Sequence, residues 1–157
     1  MMQSEERLYA GLTREYALYL PKNSDGTNMK NVPLVVWNHG GGEYAGQLEN
    51  TLVANRGLTA WVEAGYNTAV LQIQVSNPNY SYGTAFDEDK KSLIDQNNAL
   101  QAALIKKLAE GTVDQNRVYV TDIKWWWRND ALYYAIPRTF AGAIACCSMD
   151  PLLLGTL

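Results

Sequence analysis

Histidine occurs once in the 157 residues, cysteine twice, and every hydrophobic run is soon interrupted by a charge, an amide or a glycine. Each scarcity excludes a class of protein. Cys146 and Cys147 are neighbours, and adjacent residues on a strand point to opposite faces and rarely bond to each other, so a disulfide framework is excluded. They read as small, buried strand residues. With no other cysteine and only His39 as an imidazole, no metal site is evident and no cofactor is expected. A formal net charge of -3, without any Lys/Arg cluster, argues against a nucleic-acid surface, because phosphate neutralisation needs basic side chains gathered on one face. No stretch approaches the roughly 20 apolar residues of a membrane-spanning helix. The start, Met1 to Arg7, carries Glu5 and Glu6 and has neither the basic nor the apolar region of a secretory signal. The expectation is a soluble protein with no nucleic-acid or membrane partner, and its compartment stays open.

What is present is the balance of a globular domain, 47% hydrophobic and 18% charged, and residues 1–157 read as a single domain. Glu15 to Leu20 is rich in Tyr and Leu and stops at Pro21, before the turn-forming Asn23, Ser24, Asp25 and Gly26, which predicts a strand and a loop. Val32 to Trp37 is a nearly continuous apolar run, the pattern of a strand covered on both faces, and it opens into Asn38-His39-Gly40-Gly41-Gly42. Asn50 to Ala64 predicts a helix broken at Gly57 and closed by Gly65. Thr68 to Val75 predicts a third strand.

From about Asp87 to Glu110, Leu93, Asn97, Leu100, Leu104 and Leu108 fall on one helical stripe with Ile94 and Ile105 beside it. Acidic residues at the start of this helix, Lys106 and Lys107 near its end, and Gly111 just after it agree with that assignment. Asp114-Gln115-Asn116 predicts a turn into the strand Arg117 to Thr121, and Gly142 to Cys147 predicts another buried strand. Strands alternating with helices, without repeats or linkers, imply an α/β fold: a mostly parallel sheet with helices on both faces.

Four segments, EYALYLP at 15–21, VPLVVWNHGGGE at 32–43, DQNRVYVT at 114–121 and PRTFAGAIACCSMDP at 137–151, resemble α/β-hydrolases of the esterase and polyhydroxybutyrate-depolymerase-like type, including their predicted-peptidase relatives. The resemblance implies that His39, Gly40, Gly41 and Gly42 form the oxyanion loop. Glycine suits such a loop, because a backbone N–H turned toward a reacting carbonyl oxygen needs unusual dihedrals and no Cβ in the way. It also implies that His39 orders the loop. The family's catalytic base follows the acid late in the chain, in the order Ser, Asp/Glu, His.

The match fails where the family places Gly-Xaa-Ser-Xaa-Gly, directly after the strand that RVYVT resembles. Here the glycines fall on Asp122 and Trp126, a commonly following glycine on Trp127, and the nucleophilic serine on Lys124. Lys124 is not expected to function, since an amine acylated by an ester gives a stable amide. Asp122 and Asp130 read as solvated turn carboxylates, and Ser148 lacks any elbow pattern around it. The chain runs to Leu157, soon after SMDP, so the later strands that carry the family's acid and histidine are expected to be absent. On this reading 1–157 is an incomplete α/β-hydrolase domain, the N-terminal part of that fold, and is inactive as written.

Trp125, Trp126 and Trp127 stand within the same departure. Three explanations are open: a stacking platform for a ligand, partly buried structural residues, or a stretch at 122–130 that differs from the protein's true sequence. Two functions follow. One is a serine-type carboxylic ester hydrolase taking a small-molecule ester or acyl substrate. The other is a non-catalytic relative that binds a ligand or partner through Trp125 to Trp127, with Tyr80 and Tyr82. A truncated sheet would expose apolar surface, which implies self-association or a second chain that covers it.

Overall fold

The computed structural model describes residues 2–9, 12–39, 48–54, 56–74, 88–122 and 138–144. They form one six-stranded sheet with three helices. The strands are β1 (Met2–Tyr9), β2 (Leu12–Tyr19), β3 (Val32–Asn38), β4 (Ala69–Ile73), β5 (Val113–Asp122) and β6 (Gly142–Ile144). The helices are α1 (Leu48–Ala54), α2 (Gly57–Glu63) and α3 (Glu88–Ala109). The sheet order is β1-β2-β4-β3-β5-β6. β1 pairs antiparallel with β2, and β2 with β4, whereas β4-β3, β3-β5 and β5-β6 are all parallel. The expected α/β architecture is present, with the parallel part at one side and an antiparallel hairpin at the other.

A period of two along the strands builds two cores. Leu18, Val32, Leu34, Val36, Ala69, Leu71, Ile73, Val118 and Val120 face one way and meet Leu100, Leu104 and Ile105 of α3. Their alternates Ala17, Trp37 and Val70 face the other way and meet Leu48, Leu52 and Leu58 of α1 and α2. β3 and β4 therefore need apolar side chains on both faces, which is why their sequences run without alternation. The α3 stripe holds from Leu100 onward, with Gln101 and Ile105 sharing the buried face. The side chains of Leu93, Ile94 and Asn97 lie outside the described residues.

Several expectations change. Met2–Tyr9, given no element from sequence, is an edge strand of the sheet. The helix expected at 50–64 is two helices, as its interruption implied, yet the break falls before Gly57. Arg56 takes the left-handed conformation at φ 54, and Gly57 opens α2. Gly57 is glycine for packing: a Cβ there would lie 1.9 Å from Cε2 of the Trp37 indole. Gly65 does terminate α2, at φ 73, with its N–H donating to the Val62 carbonyl at 3.1 Å.

The turn expected at 114–116 survives as an irregularity inside β5. Register passes from Val32↔Val113 to Leu34↔Val118, so β5 carries extra residues between the two pairs. Asp114 closes this bulge: its Oδ1 accepts from the Asn116 N–H at 2.9 Å and its Oδ2 from Arg117 Nε at 2.7 Å. The Arg117 hydrogen bond is the main reason the Asp114 carboxyl is held below its ordinary 3.8. A depressed carboxylate stabilises the fold above its unfolded pKa, and the contribution disappears as pH falls through the lower folded value. Asp114→Asn is therefore expected to lower the melting temperature slightly near neutral pH and to match the parent once pH is well below 3.8. Thermal unfolding across that range checks it, and a gap that does not close on acidification would refute it.

β6 is not the buried strand that its sequence implied. It is an edge of the sheet, where Ile144 is 62% exposed, and Tyr119 on the same face of the neighbouring strand is 39% exposed. Its sequence resembles a core strand, but burial needs a covering layer, and no described element packs over that face. Cys146 and Cys147 lie outside the described residues. Among those described, no helix is long and apolar enough to cross a membrane.

Candidate active site

Parallel strands bring their carboxyl ends to one edge of the sheet, where α/β proteins place their ligands. Here β3 and β5 end level with each other, since Asn38 pairs with Asp122. The Gly-rich sequence begins one residue after Asn38, and the departure from the elbow pattern begins at Asp122. Two segments singled out from sequence thus start side by side, although Trp37 and Thr121, the pair before them in the same register, are separated by more than eighty residues of chain.

Asn38 is 1% exposed and points into the layer between β3 and α3, where its Oδ1 accepts from Gln101 Nε2 at 2.9 Å. Next to it, His39 is half-buried and has an interaction partner. On the other face, the end of β4 carries Gln72 and Gln74, both fully buried, and Gln74 Nε2 donates to Thr51 Oγ1 of α1 at 3.3 Å. The N–H of Gln74 donates to the Glu15 carbonyl at 2.9 Å and extends the β2-β4 ladder by one bond. Buried amides gathered at strand ends contrast with the apolar strand centres, and several of their polar atoms have no hydrogen-bond partner: Asn38 Nδ2, both ends of Gln72, Gln74 Oε1 and Gln101 Oε1.

Of the residues assigned from sequence, His39 is among those described and directly follows β3. Gly40, Gly41, Gly42, Lys124, Trp125, Trp126 and Trp127 lie outside the described residues, as do Tyr80, Tyr82, Asp130 and Ser148. Sequence reading missed Asn38, Gln74 and Gln101. The signal was available in part: Gln72 and Gln74 interrupt an apolar strand, and Gln101 follows Leu100 on a buried helical stripe. The clearly lowered carboxyls, Asp25 and Asp114, sit in the β2-β3 loop and at the start of β5, away from the carboxyl edge. Among the described residues no group of His, Cys, Asp or Glu could hold a metal ion.

No family model and no curated protein matches the chain. Among solved structures it is similar to a thermostable esterase, at 26% identity and a TM-score of 0.70, over 90% of this chain and 39% of that one. It is also similar to a thermophilic esterase of the planctomycete Thermogutta terrifontis solved with propionate bound, at 10% identity and a TM-score of 0.52, over 92% of this chain and 53% of that one. At that identity the second likeness is one of fold alone. The chain spans between about two fifths and half of these esterases, and within that span it has the α/β-hydrolase fold that they share.

Proposed function

We propose that the protein to which this chain belongs is a serine-type hydrolase of carboxylic esters, taking a small-molecule ester or acyl substrate. The observation that supports this reading is the position of His39. It directly follows the buried end of β3, level with the end of β5, in a fold that matches a thermostable esterase over 90% of the chain. In this reading the N–H groups of Gly40, Gly41 and Gly42 hold the oxyanion of the tetrahedral intermediate. His39 orders that loop and takes no proton from the nucleophile. In this reading the nucleophile is a serine at the position that Lys124 occupies in this sequence; it attacks the ester carbonyl, the alcohol leaves, and water then releases the acid.

With Lys124 at that position the reading makes a sharp demand on chemistry. A chain carrying Lys124 and no triad is expected to hydrolyse a p-nitrophenyl ester roughly a millionfold more slowly than an intact triad allows. The deciding measurement joins peptide mapping between Arg117 and Arg138, on protein from its natural source, to that assay. Gly-Xaa-Ser-Xaa-Gly in the peptide together with ester turnover is the expected result. Lys124, Trp125, Trp126 and Trp127 in the peptide, with no turnover, would overturn the catalytic reading and favour a non-catalytic relative that binds through the indoles.

A further inference from the structure

Two buried carboxamide bonds bracket the segment that carries the candidate oxyanion loop. Before it, Gln101 of α3 donates to Asn38, the last residue of β3. After it, Gln74 at the end of β4 donates to Thr51 of α1, the helix that opens at Leu48. The partners are 63 and 23 residues apart, so neither bond follows from local chain geometry. All four side chains are at most 1% exposed.

A purely structural solution at these places is visible next door: Leu100 and Leu104 fill the layer of Gln101, and Leu52 and Val70 the layer of Gln74, without polar atoms. Each glutamine instead leaves its Oε1 unpartnered in the interior, and Asn38 leaves its Nδ2 so. Burying a carboxamide for one hydrogen bond, with its other polar atom unsatisfied, is unfavourable compared with an apolar residue of the same size. Local violations of packing logic concentrate where a fold must hold something in place.

We infer that Gln101 and Gln74 are positioning residues: Gln101, acting through Asn38, fixes the end of β3 that His39 follows, and Gln74, acting through Thr51, fixes α1 against the end of β4. Their functional meaning, placement of His39 and of the oxyanion donors at 40–42, rests on the ester-hydrolase reading. Neither glutamine touches the reacting atoms on this account. They act only through Asn38, one residue before His39, and Thr51 of α1.

His39 is the chain's only histidine, so its imidazole gives one unambiguous pair of carbon-bound proton signals in a two-dimensional NMR spectrum. Gln101→Met keeps the volume and removes the donor. It is expected to move the His39 signals and to speed amide exchange across 38–48 about tenfold, while exchange elsewhere in the sheet stays within about twofold. Gln74→Met is expected to do the same for amides from 43 to 52. Ile105→Val, on the same buried face of α3, serves as the control: it lowers overall stability and leaves His39 where it was. Unchanged His39 signals and exchange in both glutamine variants would overturn the inference, as would an equal response to Ile105→Val. If Gln101→Met does not fold, the Gln74→Met exchange pattern decides. Loss of the ester-hydrolase reading would show in turnover of the parent protein and would leave these signals untouched, so the two failures are distinguishable.

Discussion

Gly57→Ala is expected to destabilise the protein by about 2 kcal/mol, the reverse of what helix propensity alone would give. Alanine in place of a helical glycine gains up to about 1 kcal/mol in an ordinary exposed helix. At Gly57 the added Cβ would lie 1.9 Å from Cε2, 2.2 Å from Cζ2 and 2.3 Å from Cδ2 of Trp37. These atoms belong to a rigid indole that is 2% exposed and packed among Leu48, Leu52 and Leu58, so the helix and the ring must move apart. Overpacking of this kind costs about 1–3 kcal/mol or more. Urea unfolding measures it, with Gly111→Ala as a reference, because a Cβ at Gly111 meets nothing within 4 Å. The reference should be neutral or slightly stabilised. A Gly57→Ala protein as stable as its parent would mean that α2 does not sit against Trp37. A Trp37→Ala background sharpens the test: there Gly57→Ala should become neutral or favourable, and the coupling between the two sites should exceed about 1 kcal/mol.

The second large effect is at the centre of the other core. Leu71 is fully buried on β4, between β2 and β3, and faces the layer filled by α3. Leu71→Ala removes its contacts and leaves a cavity that a strand held by ladders on both sides cannot close, at an expected cost of about 3–5 kcal/mol. For a domain whose whole stability is about 5–15 kcal/mol, that is enough to depress the unfolding midpoint severely. Val53→Ala is the matched surface change, 71% exposed in α1, and should stay within about 0.5 kcal/mol. If the two substitutions shift the urea midpoint equally, Leu71 does not lie in a close-packed interior.

The two cores account for much of what the sequence could and could not reveal. A strand buried on one face announces itself by alternation, whereas β3 and β4 are buried on both and show only an apolar run. Their burial was legible, but the division of their side chains between α3 and the α1-α2 pair was not. Near the carboxyl edge the apolar code is interrupted by Asn38, Gln72 and Gln74. Those amides look like strand ends or turn residues in one dimension, since a hydrogen bond to a helix 63 positions away leaves no local trace.

Composition and pattern by themselves determined the α/β class, five of the six strands, the long helix to within a residue or two, and the place of His39 at the end of a buried strand. These follow from short-range physics: β-branched runs, a helical stripe with charges suited to its dipole, and glycines where the chain turns. Tertiary structure alone decided the sheet order β1-β2-β4-β3-β5-β6, the edge strand made from the charged start, and the exposure of β6. It also moved the helix break to Arg56 and showed why Gly57 must lack a side chain. Each of these depends on which distant segment lies alongside. Strand partners are chosen by the burial of whole faces, and the space at a glycine is set by a tryptophan twenty positions earlier in the chain, so neither is written in the local sequence.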